Sequence, residues 1–193
     1  MSNHLSEHTG NRSDAGPSIG HEAQAVASAL VERAASGAAA APTEVLTLRL
    51  GAEEYGIDIL RVQEIRSYES PTRIAGAPPH VLGVTNLRGV IVPIVDLRRG
   101  FGQDATVRNG TVTVVLGMGG RTVGAVVDAV SDVIALSPTE IKPAPGFSGA
   151  IAATHITGIA TIGEGNDARM LILLDIEALM SSPQTGLAID AAH

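Results

Sequence analysis

The side chains able to carry acid–base, metal or nucleophilic chemistry are few and scattered. Cysteine is absent, which excludes thiolate nucleophiles, iron–sulfur ligation and a disulfide framework. The histidines are His4, His8, His21, His80, His155 and His193. Four of them lie towards the chain ends, and none stands at metal-ligand spacing from another. His80 follows Pro78-Pro79 and His155 sits in a Thr-rich stretch, so each reads as a loop residue without a partner motif. No Gly-x-Ser-x-Gly elbow occurs. Gly117-Met118-Gly119-Gly120-Arg121 is glycine-rich but matches neither phosphate-binding pattern, and it reads as a hairpin turn, like the loop Gly163–Asp167. Asp58, Asp96, Asp128 and Asp175 sit in or beside apolar strands, where an aspartate commonly caps a turn or a helix start. An acid–base pair among them stays open, but nothing in their spacing indicates one. The expectation is therefore no catalytic residue, no metal and no cofactor. Glu64 and Arg88 remain, a carboxylate and a guanidinium each set among apolar residues.

The elements that position them are mainly short strands. The chain has 193 residues, 45% hydrophobic but only 2% aromatic, with no tryptophan, so its core must come from Val, Ile, Leu and Ala. A net charge of −7 and few aromatic rings argue against nucleic-acid recognition. No apolar run approaches the 18 residues of a membrane span and no leader pattern opens the chain, which predicts a soluble, cytoplasmic protein. Residues 1–22 are polar and aperiodic, and residues 22–36 place Val26, Leu30 and Val31 on one stripe of a short helix. From Val45 the chain changes to short strands, expected at 45–50, 55–59, 60–65 and 112–116, with a buried strand at 170–174 and then a capped helix at 175–180. The segment GVTNLRGVIVPIVDLR (83–98) reads as a strand, a polar turn and a second strand apolar enough to be buried.

An internal repeat organises these elements. Leu50-Gly51 aligns with Leu116-Gly117, placing Gly56 near Gly124, Val62 on Val130 and Glu64 on Asp132. Gly83-Val84-Thr85 matches Gly158-Ile159-Ala160, and Asp96 falls on Asp175. Each repeat has the size of a small closed barrel, and two barrels side by side create a groove. The second repeat keeps the Gly start and the strand ending in Asp, but has Thr161-Ile162-Gly163 and a longer loop in place of Asn-Leu-Arg-Gly. The polar turn is thus where a specific role is expected. Three readings stand for Glu64 and Arg88. They are ordinary solvated charges, or they pair and hold the first barrel together, or they border the groove and orient a partner helix.

EEYGIDILRVQEIR (53–66), TRIAGAPPHVLGVTNLRGVIVPIVDLR (72–98), VGAVVDAVSDVIAL (123–136) and IKPAP (141–145) together resemble the CheW family of chemotaxis coupling proteins. The resemblance covers about residues 44–180, and NLRG followed by VPIVDLR is its most specific part. It implies a mainly β fold of two tandem SH3-like five-stranded β-barrels with short helices over residues 43–181, intertwined near 100–110 and at the C-terminus. A flexible extension, 1–42, would precede it and a tail, 182–193, would follow. It also implies a non-enzymatic adaptor joining the cytoplasmic tips of transmembrane chemoreceptors to the regulatory domain of the histidine kinase CheA, recruited from the cytoplasm to membrane-associated arrays. By position, Val62, Glu64, Ile65, Arg88 and Val130 would bind the receptor, and Gly83, Gly124, Lys142 and Phe147 the kinase. A scaffold of a different CheA-type pathway, for surface motility or development, would use the same residues. An enzymatic alternative is a small hydrolase using Asp96 or Asp175 with a loop histidine.

Overall fold

The computed structural model describes residues 41–145 and 155–182. The helix expected at 22–36, Phe147 and the tail beyond Ser182 lie outside the described residues. Eleven strands follow one another: β1 (Thr43–Leu50), β2 (Glu53–Asp58), β3 (Val62–Ser67), β4 (Val81–Leu87), β5 (Val90–Asp96), β6 (Val112–Met118), β7 (Arg121–Val127), β8 (Ala129–Leu136), β9 (Ile141–Lys142), β10 (Ile156–Ile162) and β11 (Arg169–Leu174). Two short helices start immediately after β5 and β11: α1 (Leu97–Gly100) and α2 (Ile176–Ser181). Asp96 and Asp175 cap them, accepting hydrogen bonds from Arg98 N at 3.1 Å and Ala178 N at 2.9 Å. A single 3-10 turn, Ile59–Arg61, separates β2 from β3, with Asp58 accepting from Leu60 N at 2.9 Å. The run expected as two abutting strands is broken there because the aspartate carboxylate captures the backbone.

The strands form a five-stranded sheet, β3-β6-β7-β5-β4, and a six-stranded sheet, β8-β1-β2-β11-β10-β9. The two orders are the same once β6 to β11, without β9, are read as repeats of β1 to β5. The duplication is therefore real in topology, yet its halves do not close on themselves. Hairpin β1–β2 of the first repeat lies in the sheet of the second, and hairpin β6–β7 of the second lies in the sheet of the first. Parallel pairings, β2 with β11 and β7 with β5, stitch each guest hairpin in.

Each sheet also curls until its edges meet. After β8 the chain turns over Ser137–Glu140, where Ser137 N and Oγ donate to Glu140 Oε2 at 2.7 and 2.6 Å. These bonds hold the Glu140 carboxyl below its usual value. The chain then pairs as β9 with β10 on the far edge. In the other sheet the chain leaving β3 pairs Thr72 with Val84 of β4. Both closures need a glycine. A Cβ on Gly83 would lie 2.1 Å from the Thr72 carbonyl oxygen, and one on Gly158 would lie 2.6 Å from Ile141 Cγ2.

Among the described residues the largest apolar cluster belongs to neither barrel alone. It joins Leu46, Leu48, Leu50 and Ile57 of one sheet to Val114, Leu116, Val123 and Val127 of the other, and is covered by Leu97 of α1 and Leu179 of α2. Smaller clusters fill each barrel, Val45, Leu136 and Leu171 in one and Val92, Ile94 and Val126 in the other. Fully burying one such side chain contributes about 1.5–3 kcal/mol, so most of the hydrophobic stabilisation comes from the shared cluster. Strand β1 is consequently buried on both faces, which its apolar–polar alternation does not announce. Thr47 fits this setting because its hydroxyl donates to Asp132 O at 3.0 Å and accepts from Asp132 N at 2.9 Å, across an irregular step in the β1–β8 register.

The deepest polar residue is Arg98, 0% exposed. Its Nε and Nη2 each lie 2.9 Å from one oxygen of Asp96. Nη1 donates to Thr106 O at 2.9 Å and Asp128 Oδ1 at 3.1 Å, and Nη2 also donates to Ala105 O at 3.1 Å. All the guanidinium N–H groups are thereby used. The hydrogen bonds it donates to Asp96, foremost, keep its pKa above the ordinary arginine value against the opposing effect of burial. Asp128 in turn accepts from Gly51 N at 2.8 Å, so one guanidinium ties together β5, the crossover between the repeats and both guest hairpins.

Candidate functional site

Leu87 and Val90 close a two-residue hairpin whose centre is Arg88 and Gly89. Both central residues have positive φ, 53° and 89°, as the hairpin turn matching strand twist requires. Arg88 is the only non-glycine with positive φ among the described residues. Asn86 supports the turn by accepting from Gly89 N at 2.7 Å. A bulky side chain in this conformation costs about 1–3 kcal/mol, and such strain gathers at functional sites.

The turn aims Arg88 back across the mouth of the barrel. Arg88 Nη2 donates to Glu64 Oε2 at 2.7 Å, while Arg66 Nη1 lies 3.6 Å from Glu64 Oε1. Glu64 is on β3 and Arg88 at the end of β4, opposite edges of the five-stranded sheet, so the pair spans the closure. The Arg88 side chain is 82% exposed and the Glu64 side chain 24%. An ion pair so wet is worth only about 0–1 kcal/mol, too little to explain the strain of the turn by stability alone. A cleft of about 210 Å³ opens beside it, lined by Gln63, Leu87, Val92, Val115 and Thr122. Ile65, Val90 and Ile91 stand exposed nearby in sequence, at 44%, 56% and 62%. Val90 also lines the cleft, and an apolar wall beside a charged pair is the composition of a protein-binding surface. Replacing Arg88 by Asn, which tolerates positive φ, is expected to change unfolding stability by less than about 1 kcal/mol, read from a urea midpoint. A loss above about 2 kcal/mol would assign the pair to holding the barrel.

The residues expected from sequence fall into separate places. Glu64 and Arg88 meet. Val62 and Val130 are half-buried and pack on the shared central cluster, on topologically equivalent strands. Ile65 is exposed on β3. Gly83 and Gly124 are buried: a Cβ on Gly124 would meet Ile94 Cδ1 at 2.5 Å and Thr113 Cγ2 at 2.9 Å. Both glycines are internal spacers of the barrel wall. Lys142 is exposed on β9, beside the barrel closure. Val90 and Ile91 were legible only as part of a buried run. They are exposed because they directly follow the turn and project beyond the core, and their position after Gly89 is the signal that marks them.

The strand-end aspartates are occupied with structure: Asp58, Asp96 and Asp175 cap, and Asp128 holds Gly51 and Arg98. Burial holds His80 below the ordinary imidazole value, and its backbone oxygen accepts from Asp96 N at 2.8 Å. His155 repeats that contact with Asp175 N at 2.8 Å, another trace of the duplication. Among the described residues no group of three or more His, Asp or Glu gathers to hold a metal ion, and no helix is long and apolar enough to cross a membrane.

Two exchanged barrels, with a charged turn and exposed apolar residues at one mouth, define a class: a scaffold protein that works through its surfaces. The model of the CheW-like domain matches residues 44–184, and the chain belongs to that family of chemotaxis scaffolds. It is 53% identical to a chemotaxis protein CheW of Klebsiella aerogenes over 150 residues, 77% of this chain and 88% of the relative. A probable chemotaxis protein CheW of Rhizobium etli is 35% identical, covering 75% of this chain and 92% of the relative. The crystal structure of the scaffolding protein TtCheW from Thermoanaerobacter tengcongensis superposes with a TM-score of 0.64 at 29% identity, over 74% of this chain and 95% of that one.

Proposed function

We propose that this chain is a non-enzymatic adaptor that couples transmembrane chemoreceptors to the histidine kinase CheA, recruited from the cytoplasm to membrane-associated receptor arrays. The observation that carries the reading is Arg88, held in a strained turn, paired to Glu64 at 2.7 Å and left 82% exposed beside Val90 and Ile91. The receptor's helical tip would lay apolar residues on this mouth and take hydrogen bonds from the guanidinium. Val62 and Val130 would act by fixing the seam between the barrels, and Ile65 by direct contact. Lys142 and Phe147 would form the kinase face, while Gly83 and Gly124 would serve it only through barrel shape. The mechanism is positioning: two modest interfaces raise the kinase's effective concentration at receptors, and a small receptor change shifts its on–off equilibrium.

The test is kinase activation in a reconstituted mixture of this chain, CheA and a receptor cytoplasmic fragment. Arg88→Glu faces Glu64 with a like charge and is expected to lower receptor-dependent activation about tenfold or more while leaving the far-ultraviolet dichroism unchanged. A folded Arg88→Glu protein that still activates fully would sink the assignment of the mouth.

A further inference from the structure

A second cleft, of about 420 Å³, opens between the β3–β4 loop and the crossover at residues 105–107, sharing no lining residue with the mouth at Arg88. Its walls include Pro71, Pro78 and Leu82, and Ile74 and Val107 stand at its edge, 49% and 52% exposed. Asp96 and Arg98 also line it, but both are buried and paired through two hydrogen bonds of 2.9 Å, with Arg98 bonded to Asp128 as well. The charge left over is cationic. Arg99 spends one bond, of 2.8 Å, on Pro79 O and is otherwise 3.8 Å from Asp96. Arg73 is exposed and has no partner among the described residues.

The duplication supplies an internal comparison. The six-stranded barrel has a cleft of about 360 Å³ beside Asp175, the counterpart of Asp96. Its charged groups are Asp58, Asp175 and Glu177, against Arg61 alone, and Arg61 is 2.7 Å from Glu177. The two clefts thus adjoin equivalent aspartates and differ in the sign of their charged groups. Barrel closure would account for a cleft at each place, but gives no reason for a cationic rim on one of them in a chain of net charge −7.

We infer that the first cleft docks an extended acidic and apolar peptide segment of a partner protein. A Leu or Ile of that segment would lie against Ile74 and Val107, and a neighbouring carboxylate would take hydrogen bonds from Arg73 and Arg99. The inference stands apart from the role of the Arg88 mouth.

Fluorescence anisotropy on the full chain tests it, with fluorescein-labelled nine-residue peptides alternating Asp or Glu with Leu or Ile, and a matched set carrying Lys in place of the acids. The acidic set is expected to bind at least about tenfold more tightly and to weaken with added salt. Arg73→Glu and, separately, Ile74→Asp each remove that binding about tenfold, whereas Arg88→Glu leaves it unchanged. Arg73 lies on the surface without a partner, so its variant retains the fold; Arg73→Gln gives a milder second reading. Equal binding of the two sets, or acidic binding that survives Arg73→Glu, overturns the inference. So does a concentration-dependent dimer in sedimentation velocity that Arg73→Glu dissolves, which would assign the cleft to a second copy of this chain.

Discussion

Arg98→Met is expected to lower the unfolding free energy by about 3–5 kcal/mol, measured by urea denaturation. Methionine fills much of the volume, so the loss is electrostatic. Asp96, 1% exposed, and Asp128, 10% exposed at its side chain, would lose the guanidinium they share, leaving only Arg99, 3.8 Å from Asp96. The carbonyls of Ala105 and Thr106 would lose their donors as well. Since a domain of this size is stable by only about 5–15 kcal/mol, such a loss takes much of the margin. Arg98→Lys is expected to recover little. An ammonium has three donors on a flexible stem and cannot reproduce the two-pronged contact with Asp96 while also reaching Asp128. Limited proteolysis should find the crossover at residues 101–110 first in both variants. A Met variant within about 1 kcal/mol of the parent would mean that the network is dispensable.

Gly83→Ala is expected to cost about 2–5 kcal/mol, from overpacking together with backbone strain. Its φ is 143°, and the added Cβ would stand 2.1 Å from the Thr72 carbonyl oxygen. The obstructing atom is backbone, so no side chain can swing aside. Relief requires breaking the closure, in which Thr72 N donates to Val84 O and Val84 N to Thr72 O, both at 2.8 Å. Gly89→Ala is the internal control. Its φ of 89° imposes strain, but nothing lies within 4 Å of the new methyl, so its loss should stay near 1 kcal/mol. Equal melting shifts for the two variants would disprove the steric account. A Gly83→Ala protein that kept its stability yet failed to hold CheA would make the glycine a true contact residue.

Much of this was legible in the residues. A period-two run located β1, short apolar runs located β6 and β11, and Asp175 announced the start of α2. The repeated Gly-start and Asp-end blocks disclosed the duplication, because a closed barrel demands the same spacer and the same cap each time. Alternation could not reveal that β1 is buried on both faces, since a hydroxyl at Thr47 reads as solvent-facing until its partner at Asp132 is known. Nor could it reveal which hairpin joins which sheet, because strand pairing over long separations leaves no local mark. At the site, the mismatch between an apolar run and Arg88 was visible, and so was Glu64. Their meeting was not, as it depends on how the sheet curls. That Gly83 and Gly124 are buried in the barrel wall was not legible either, as it depends on the same curl.

The reciprocal placement of the two guest hairpins has a consequence for synthesis. The five-stranded barrel contains β7, so a nascent chain holds no finished barrel until Val127 has emerged, and the second waits for Leu174. Hairpin β1–β2 lacks its first receiving strand, β8, until Leu136 has emerged and its second, β11, until Leu174. The arrangement is that of a domain-swapped dimer whose two copies are fused head to tail through residues 101–111. Neither copy is a self-sufficient unit, so the molecule must be inherited, expressed and lost as a whole.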